Sequence, residues 1–248
     1  MAERAGGSAE IERIAAEYRR RDTATTQPAA ADPAQLAHLQ DLEWQLVRTL
    51  EAAGVTLAGA SALDVGSGSG FLLNRLIEHG AAHGTGVDLM EERLEAGRTR
   101  YPHLQLVHGN AAELPFPDAR FDVVTQFTCL SSVLDAGVRA AIGAEMWRVL
   151  RPGGAIVSYD MRPAWAPLGA LGRLLRERGG GAQHWTPVTA IGADELRRLF
   201  PGEMTLRSVS LNAALPAALR RRRGLALALQ SLPLLRSHHL AVVRKPLS

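Results

Sequence analysis

The stretch from Ser61 to Phe71 reads S-A-L-D-V-G-S-G-S-G-F, a short apolar run containing one acid and followed by glycine at three alternate positions. Glycine lacks Cβ, so Gly66, Gly68 and Gly70 allow the backbone to turn sharply and to press against a ligand that a side chain would hold off. A helix is expected from about Phe71. Strand, glycine loop and helix in this order open a nucleotide-binding α/β unit, with the ligand over the carboxyl end of the strand. The spacing narrows the ligand class. A dinucleotide fingerprint, G-x-G-x-x-G, needs a small third residue where Phe71 stands, and the G-K-[ST] of a P-loop is absent.

The rest of the chain alternates in period. Strands are expected at 61–65, 84–88, 104–108, 122–126, 155–160, 204–211 and 239–245, with helices at 71–79, 91–99, 136–150 and 192–200. Such alternation predicts a doubly wound α/β sheet covered on both faces. Two helices precede it. Residues 8–21 place Ile11, Ile14, Ala15 and Tyr18 on one side, and a second helix from Asp32-Pro33 to Gly54 repeats Leu36, Leu39, Leu42, Leu46, Val47 and Leu50. The polar, proline-bearing residues 22–33 between them read as a mobile connection.

Four motifs follow one another within residues 61–160. The hydrophobic-Asp-hydrophobic-Gly-x-Gly-x-Gly run at Asp64 is the first. The second strand, G-T-G-V-D, ends in Asp88, eighteen residues beyond Gly70. The third is H-G-N-A-A-E-L-P-F-P-D-A-R-F-D-V-V from His108, and the fourth is E-M-W-R-V-L-R-P-G-G from Glu145, whose Pro152-Gly153-Gly154 is expected to turn helix into strand. Together they resemble the class I S-adenosylmethionine-dependent methyltransferases of the small-molecule type. The flanks are similar to a bacterial subgroup with a long insertion before the last strand.

The resemblance implies a Rossmann-like doubly wound sheet of seven strands, mostly parallel with an antiparallel last strand, plus N-terminal helices and insertions that form a lid. It implies residues 1–33 as N-terminal helix and mobile lid, and 34–248 as the methyltransferase domain with substrate-side insertions at about 163–190 and 213–237. S-adenosylmethionine is the implied cofactor, S-adenosylhomocysteine the product. Its methionine and ribose portions would lie on Gly66, Ser67, Gly68 and Gly70. Asp88 would accept the ribose hydroxyls, followed by Leu89, and Asn110 and Ala111 would meet the adenine edge. Gln126 and Phe127 would offer backbone carbonyls to the ammonium group, Asp64 would orient the ligand, and Tyr18 and Arg21 would close over it, with Arg21 neutralising the carboxylate. Without a ligand, Asp88 would be an ordinary helix-capping acid.

In-line attack on the sulfonium methyl needs positioning above all, and a general base only where the nucleophile must lose a proton. His184, beside Trp185, and Asp160, at the end of the fifth strand, are the candidates; Asp160 and Arg162 could instead pair with each other, and His238 and His239 are more distant options. The implied reaction is methyl transfer to a small-molecule acceptor, with a hydroxyl oxygen favoured, in specialised metabolism or glycan decoration. Alternatives are an N- or C-methyltransferase of a small molecule or peptide, and a non-catalytic S-adenosylmethionine-binding protein.

Composition removes other classes. The 28 basic and 25 acidic residues leave a net charge of only +3, weak support for a polyanion partner, and no nucleic-acid partner is expected. The D/N-P-P-Y motif of many base methyltransferases is missing. Cys129 is the only cysteine, which excludes an internal disulfide and a cysteine-rich zinc site, and no metal is expected. No apolar run approaches the roughly 20 residues that span a bilayer, and residues 1–10 lack a signal-peptide core, so a cytoplasmic protein is expected. Arg220, Arg221, Arg222 and Arg223 precede L-A-L-A-L-Q-S-L-P-L-L. This segment suits either a solvated turn and an apolar helix over the substrate cavity, which is favoured, or peripheral association with a membrane surface.

Overall fold

The computed structural model of the chain describes residues 2–24, 33–163, 187–211 and 222–247, without the side chains at 2–6, 21–24, 33–35 and 223. Most of the expected insertion at about 163–190, with His184, and Arg220, Arg221 and the side chains of Arg21 and Arg223 therefore lie outside the described residues.

Seven strands form one sheet: β1 (Ser61–Val65), β2 (His83–Asp88), β3 (Gln105–His108), β4 (Phe121–Phe127), β5 (Leu150–Met161), β6 (Glu203–Leu211) and β7 (Arg236–Arg244). Their order is β3-β2-β1-β4-β5-β7-β6. β1 to β5 run parallel, and β7 lies antiparallel between β5 and β6. This is the Rossmann-like methyltransferase arrangement expected from the sequence. The strand order reverses between β1 and β4, the crevice where an open α/β sheet takes its ligand.

The described helices are α1 (Ala2–Ala24), α2 (Pro33–Ala52), α3 (Phe71–Glu78), α4 (Glu91–Arg100), α5 (Cys129–Ser132), α6 (Ala136–Val149), α7 (Ala193–Leu199) and α8 (Arg223–Gln230). Two apolar layers follow from the period-two alternation of the central strands. Ala155, Val157, Leu240 and Val242 face a layer with Leu42, Leu46 and Leu50 of α2 and Leu73 and Leu76 of α3. Ile156, Ala241 and Val243 face the other, with Ile142 and Met146 of α6 and Leu196 of α7. Burial on both faces explains why strands such as F-D-V-V-T-Q-F read as continuous apolar runs.

Among the boundaries that differ from expectation, two stand out. β5 begins at Leu150, five residues early: Leu150 pairs with Phe121, the chain bulges through Pro152-Gly153-Gly154, and pairing resumes at Ala155 with Val123. Gly153 has φ +77, and a Cβ on Gly154 would stand 2.7 Å from the Asp122 carbonyl oxygen, so the glycines permit the bulge instead of ending the strand. α1 is also longer than residues 8–21 and takes in Asp22, Thr23 and Ala24 from the expected connection. Burying Ile14 and part of Tyr18 gives it a tertiary anchor that propensity does not register.

Candidate cofactor cleft

At the switch point the glycine loop is held by backbone bonds to the next strand. The N–H groups of Gly66 and Ser67 both donate to the Val87 carbonyl, at 2.8 and 3.0 Å, and Gly70 N–H donates to Ser67 at 2.9 Å. All three glycines have positive φ, +75, +54 and +79. They serve different ends. A Cβ on Gly66 would meet Cβ and Sγ of Cys129 at 3.0 Å, one on Gly70 would meet Leu104 Cδ1 at 2.9 Å, and one on Gly68 would project into open space. Gly70 thus lets the loop settle against β3, while Gly68 leaves room above the strand end.

Asp88 joins this loop to α4. One carboxylate oxygen accepts from Gly68 N–H at 2.8 Å, the other from Met90 N–H at 2.8 Å. Its remaining lone pairs are free to meet a ligand's hydroxyls. The Asp88 carbonyl also accepts from Gly109 N–H, which fixes the following turn. There Asn110 Oδ1 accepts from Ala112 N–H at 3.0 Å, an Asx turn that presents residues 110 and 111 toward the crevice.

A cleft opens above these groups, with about 670 Å³ of empty space, part of it open to solvent. Among the expected residues Tyr18, Gly66, Asp88, Leu89, Asn110, Ala111 and Phe127 line it. Ile11, Ile14 and Tyr18 of α1 make its roof, so the side of this helix that the spacing singled out faces the cleft. Tyr18 Oη lies 2.9 Å from Ser132 Oγ, and the Arg93 guanidinium sits 4.5 Å from the centre of its ring. Glu10 and Arg13 fasten the roof further. Glu10 accepts from the N–H groups of Leu134 and Asp135, Arg13 donates to the Ser132 carbonyl at 2.8 Å, and the two form an ion pair. Arg13 holds the Glu10 carboxyl below its ordinary pKa.

The other expected residues are elsewhere. Asp64 is buried beneath the loop, accepts from Thr125 Oγ at 2.7 Å, and has its pKa pushed up to about 7 by burial. Ser67 Oγ is buried without a partner, an unused donor beside the loop. Gln126 is fully buried and does not line the cleft with its side chain. Its amide oxygen accepts from Cys129 and Leu130 N–H, and its amide nitrogen donates to Ser158 Oγ and to Asp160. Asp160 is likewise fully buried, accepting from Ser158 Oγ at 3.0 Å and Ser131 N–H at 2.9 Å, and burial pushes its pKa up to about 6. Its partners are these and not Arg162, whose guanidinium donates to the Pro233 carbonyl. Gln126, Ser158 and Asp160 thus form a polar core under α5, stabilising its start at Thr128, where φ is +60.

The sequence reading missed Met90, Arg93, Cys129, Ser132, Val133, Val138 and Ile142, all of which line the cleft. Met90 and Arg93 directly follow Asp88 at the start of a helix, and that position was a usable signal. Val138 and Ile142 carried none, since an apolar helical position reads as ordinary core. Among the described residues no cluster of three metal-ligating side chains is found.

The cleft fits an adenosyl group. An acid whose two oxygens are each engaged by one N–H stands where a ribose would lie, Leu89, Ala111, Phe127 and Val133 provide apolar walls for a flat base, and the loop keeps backbone open above the strand end.

Comparison with known proteins agrees. A family described as a methyltransferase domain matches residues 62–154. A Mycolicibacterium smegmatis protein named a "Probable S-adenosylmethionine-dependent methyltransferase" is 40% identical over 111 residues, 44% of this chain and 42% of that one. A demethylmenaquinone methyltransferase of Lysinibacillus sphaericus is 37% identical over 114 residues, 44% of this chain and 47% of that one. The match thus spans less than half the length of these curated relatives. The crystal structure of an S-adenosylmethionine-dependent methyltransferase from Mesorhizobium loti superposes with a TM-score of 0.55 at 23% identity, over 80% of this chain and 96% of that one, a likeness of fold. With glycine loop, Asp88, Asn110 and strand order all in register, residues 62–154 form a domain of the class I S-adenosylmethionine-dependent methyltransferase kind, whose cofactor is S-adenosylmethionine.

Proposed function

We propose that the protein transfers the methyl group of S-adenosylmethionine to a small-molecule acceptor, with a hydroxyl oxygen as the favoured nucleophile. The observation that carries this reading is the roofed cleft at the switch point, in which Asp88, Asn110 and Gly66 of the glycine loop face one space under Tyr18. When bound, S-adenosylmethionine supplies a sulfonium methyl open to attack by an acceptor lone pair. The chain's own residues bind and exclude water. Asp88 and Asn110 hold the polar edges of the nucleoside, Phe127 and Val133 wall the base, and Ile11, Ile14 and Tyr18 shut solvent out from above. Asp160 acts as a positioning residue: through Ser131 N–H and Gln126 it fixes α5, and with it Phe127 and Cys129 at the cleft wall. His184 remains the proposed base for a hydroxyl acceptor.

The relatives named demethylmenaquinone methyltransferases support a small organic acceptor over a macromolecular one. Specialised metabolism or glycan decoration is the proposed setting, and the cytoplasm the proposed location; among the described residues no helix is long and apolar enough to cross a membrane. Residues 1–33 are proposed as the lid element and 34–248 as the methyltransferase domain. Calorimetric titration with S-adenosylmethionine and S-adenosylhomocysteine, followed by methyl transfer to a panel of phenols, alcohols, sugars and amines, tests the proposal. Cofactor binding with transfer to a hydroxyl is the expected result. Binding without transfer to any acceptor class would leave a binding protein, and failure to bind either nucleoside would overturn the site as well.

A further inference from the structure

Helix α8, R-G-L-A-L-A-L-Q, consists mainly of leucine and alanine, yet none of its described side chains is buried. A helix apolar on all sides is normally enclosed by the protein. Here Leu225 and Leu227 are 38% and 54% exposed, and the following turn adds Leu232 and Leu234 at 52% and 54%. The outward posture is built in. Arg236 donates to the carbonyls of Gln230, Ser231 and Ser208, Arg162 donates to that of Pro233, and the Gln230 amide is bonded to Asp41 of α2. Polar groups of this segment therefore bond inward while Leu225, Leu227, Leu232 and Leu234 point away; Leu229 and Leu235 are half-buried.

Charge is distributed in the same sense. Residues 204–248 hold eight of the chain's 28 basic residues and none of its 25 acidic ones, leaving 20 against 25 in the first 203. The block at 220–223 runs directly into α8, and Arg222, which precedes the helix, is exposed. Topology places this surface beside the cofactor end of the sheet. β7 is antiparallel, so its first residues lie level with the last of β5: Met161 pairs with His238, and Arg162 N–H donates to the Ser237 carbonyl.

We infer that α8 and the turn after it form a docking surface for an anionic lipid bilayer, with Leu225, Leu227, Leu232 and Leu234 entering the interface and the exposed Arg222 meeting a lipid phosphate. An apolar helix that begins in a block of arginines is what such an interface takes. Other occupants match it less well. A second copy packed across a twofold axis would bring two arginine blocks together. A nucleic acid would use aromatic or hydrogen-bonding groups, not exposed leucines. Docking in this orientation would turn the cofactor end of β5 toward the membrane. The surface itself stands independently of the methyl-transfer reading.

Flotation of the full chain with vesicles tests it, using phosphatidylcholine alone and phosphatidylcholine mixed with phosphatidylglycerol. The protein is expected to float with the anionic vesicles and to be released by salt. Leu227→Glu with Leu234→Glu should lower the partition by about an order of magnitude or more, and Arg222→Ser should lower it less. Unchanged thermal melting and unchanged S-adenosylhomocysteine affinity in the variants show that fold and cleft are intact. Leu232→Gln, a single exchange in an exposed turn, replaces the double variant where that one melts early. Three results would overturn the inference. The first is absence of flotation with anionic vesicles at low salt, and the second is flotation indifferent to the leucine exchanges. The third is an alternative partner without vesicle binding, seen as a dimer abolished by those exchanges or as oligonucleotide binding that survives them.

Discussion

Replacing Asp88 separates the two tasks that its carboxylate performs. In the ligand-free protein it accepts from Gly68 N–H and Met90 N–H, each at 2.8 Å, and so ties the glycine loop to the start of α4. Hydrogen bonds to a charged acceptor contribute roughly 1.5–3 kcal/mol each, and Asp88→Ala leaves both donors without their partner in a nearly closed site, for a loss of about 3–5 kcal/mol. In a chain of this size each kcal/mol moves the melting temperature by about 2–4 °C, so the alanine variant should melt roughly 6–20 °C below the parent. Asp88→Asn keeps one acceptor oxygen and should lose about half as much. Affinity for S-adenosylhomocysteine is the second readout. Loss of the ribose contacts should weaken binding at least about tenfold in both variants, since about 1.4 kcal/mol suffices. Differential scanning fluorimetry without ligand and calorimetry with S-adenosylhomocysteine give the two numbers. An Asp88→Ala protein that melts within about 2 °C of the parent would refute the loop-tethering argument. Stability lost with affinity unchanged would refute the placement of the ribose.

Gly70→Ala and Gly68→Ala should behave oppositely. The first is strained by φ +79 and by Leu104 at 2.9 Å, and should lower stability by about 2–3 kcal/mol in urea unfolding. The second meets open space and should cost about 1 kcal/mol in stability while weakening S-adenosylhomocysteine binding more than the first does. Asp64 should impose a pH slope on stability, because its pKa is raised to about 7 in the folded state by burial. Between about pH 4 and pH 7 the folded protein holds a proton that the unfolded chain has lost, so stability falls as pH rises through that window. Asp64→Asn removes this contribution, and its stability relative to the parent should increase from about pH 5 to about pH 8 in denaturant titrations; the shallower slope that remains up to about 6 belongs to Asp160. Tyr18→Phe deletes the contact with Ser132 and should weaken cofactor affinity a few-fold, whereas Tyr18→Ala also opens the roof and should weaken it about tenfold or more, as measured by calorimetry.

Much of this architecture was legible because its signals are local. The loop at Gly66, Gly68 and Gly70 declares itself through backbone conformations that other residues resist, and all three glycines do have positive φ. The strands read correctly because burial on both faces demands apolar runs. The first departure, the start of β5 at Leu150, comes from pairing with Phe121 across a bulge, a partnership that no local pattern encodes. The second kind of departure concerns side chains. Asp160 stands at a strand end where a base is expected, yet it turns into a buried network with the Gln126 side chain beneath α5.

From the sequence alone came the α/β class, the switch-point loop, Asp88 and Asn110 at neighbouring strand ends, and the apolar side of α1. These rest on backbone geometry and on periodicity, which act over a few residues. Tertiary structure alone decided which groups share the cleft, because Met90, Cys129, Val138 and Ile142 meet Tyr18 only through strand register and the docking of α1. It also decided the fate of the leucines in α8. Hydrophobicity states that they gain by leaving water, but only the packing shows that Leu225 and Leu227 find no core among the described residues.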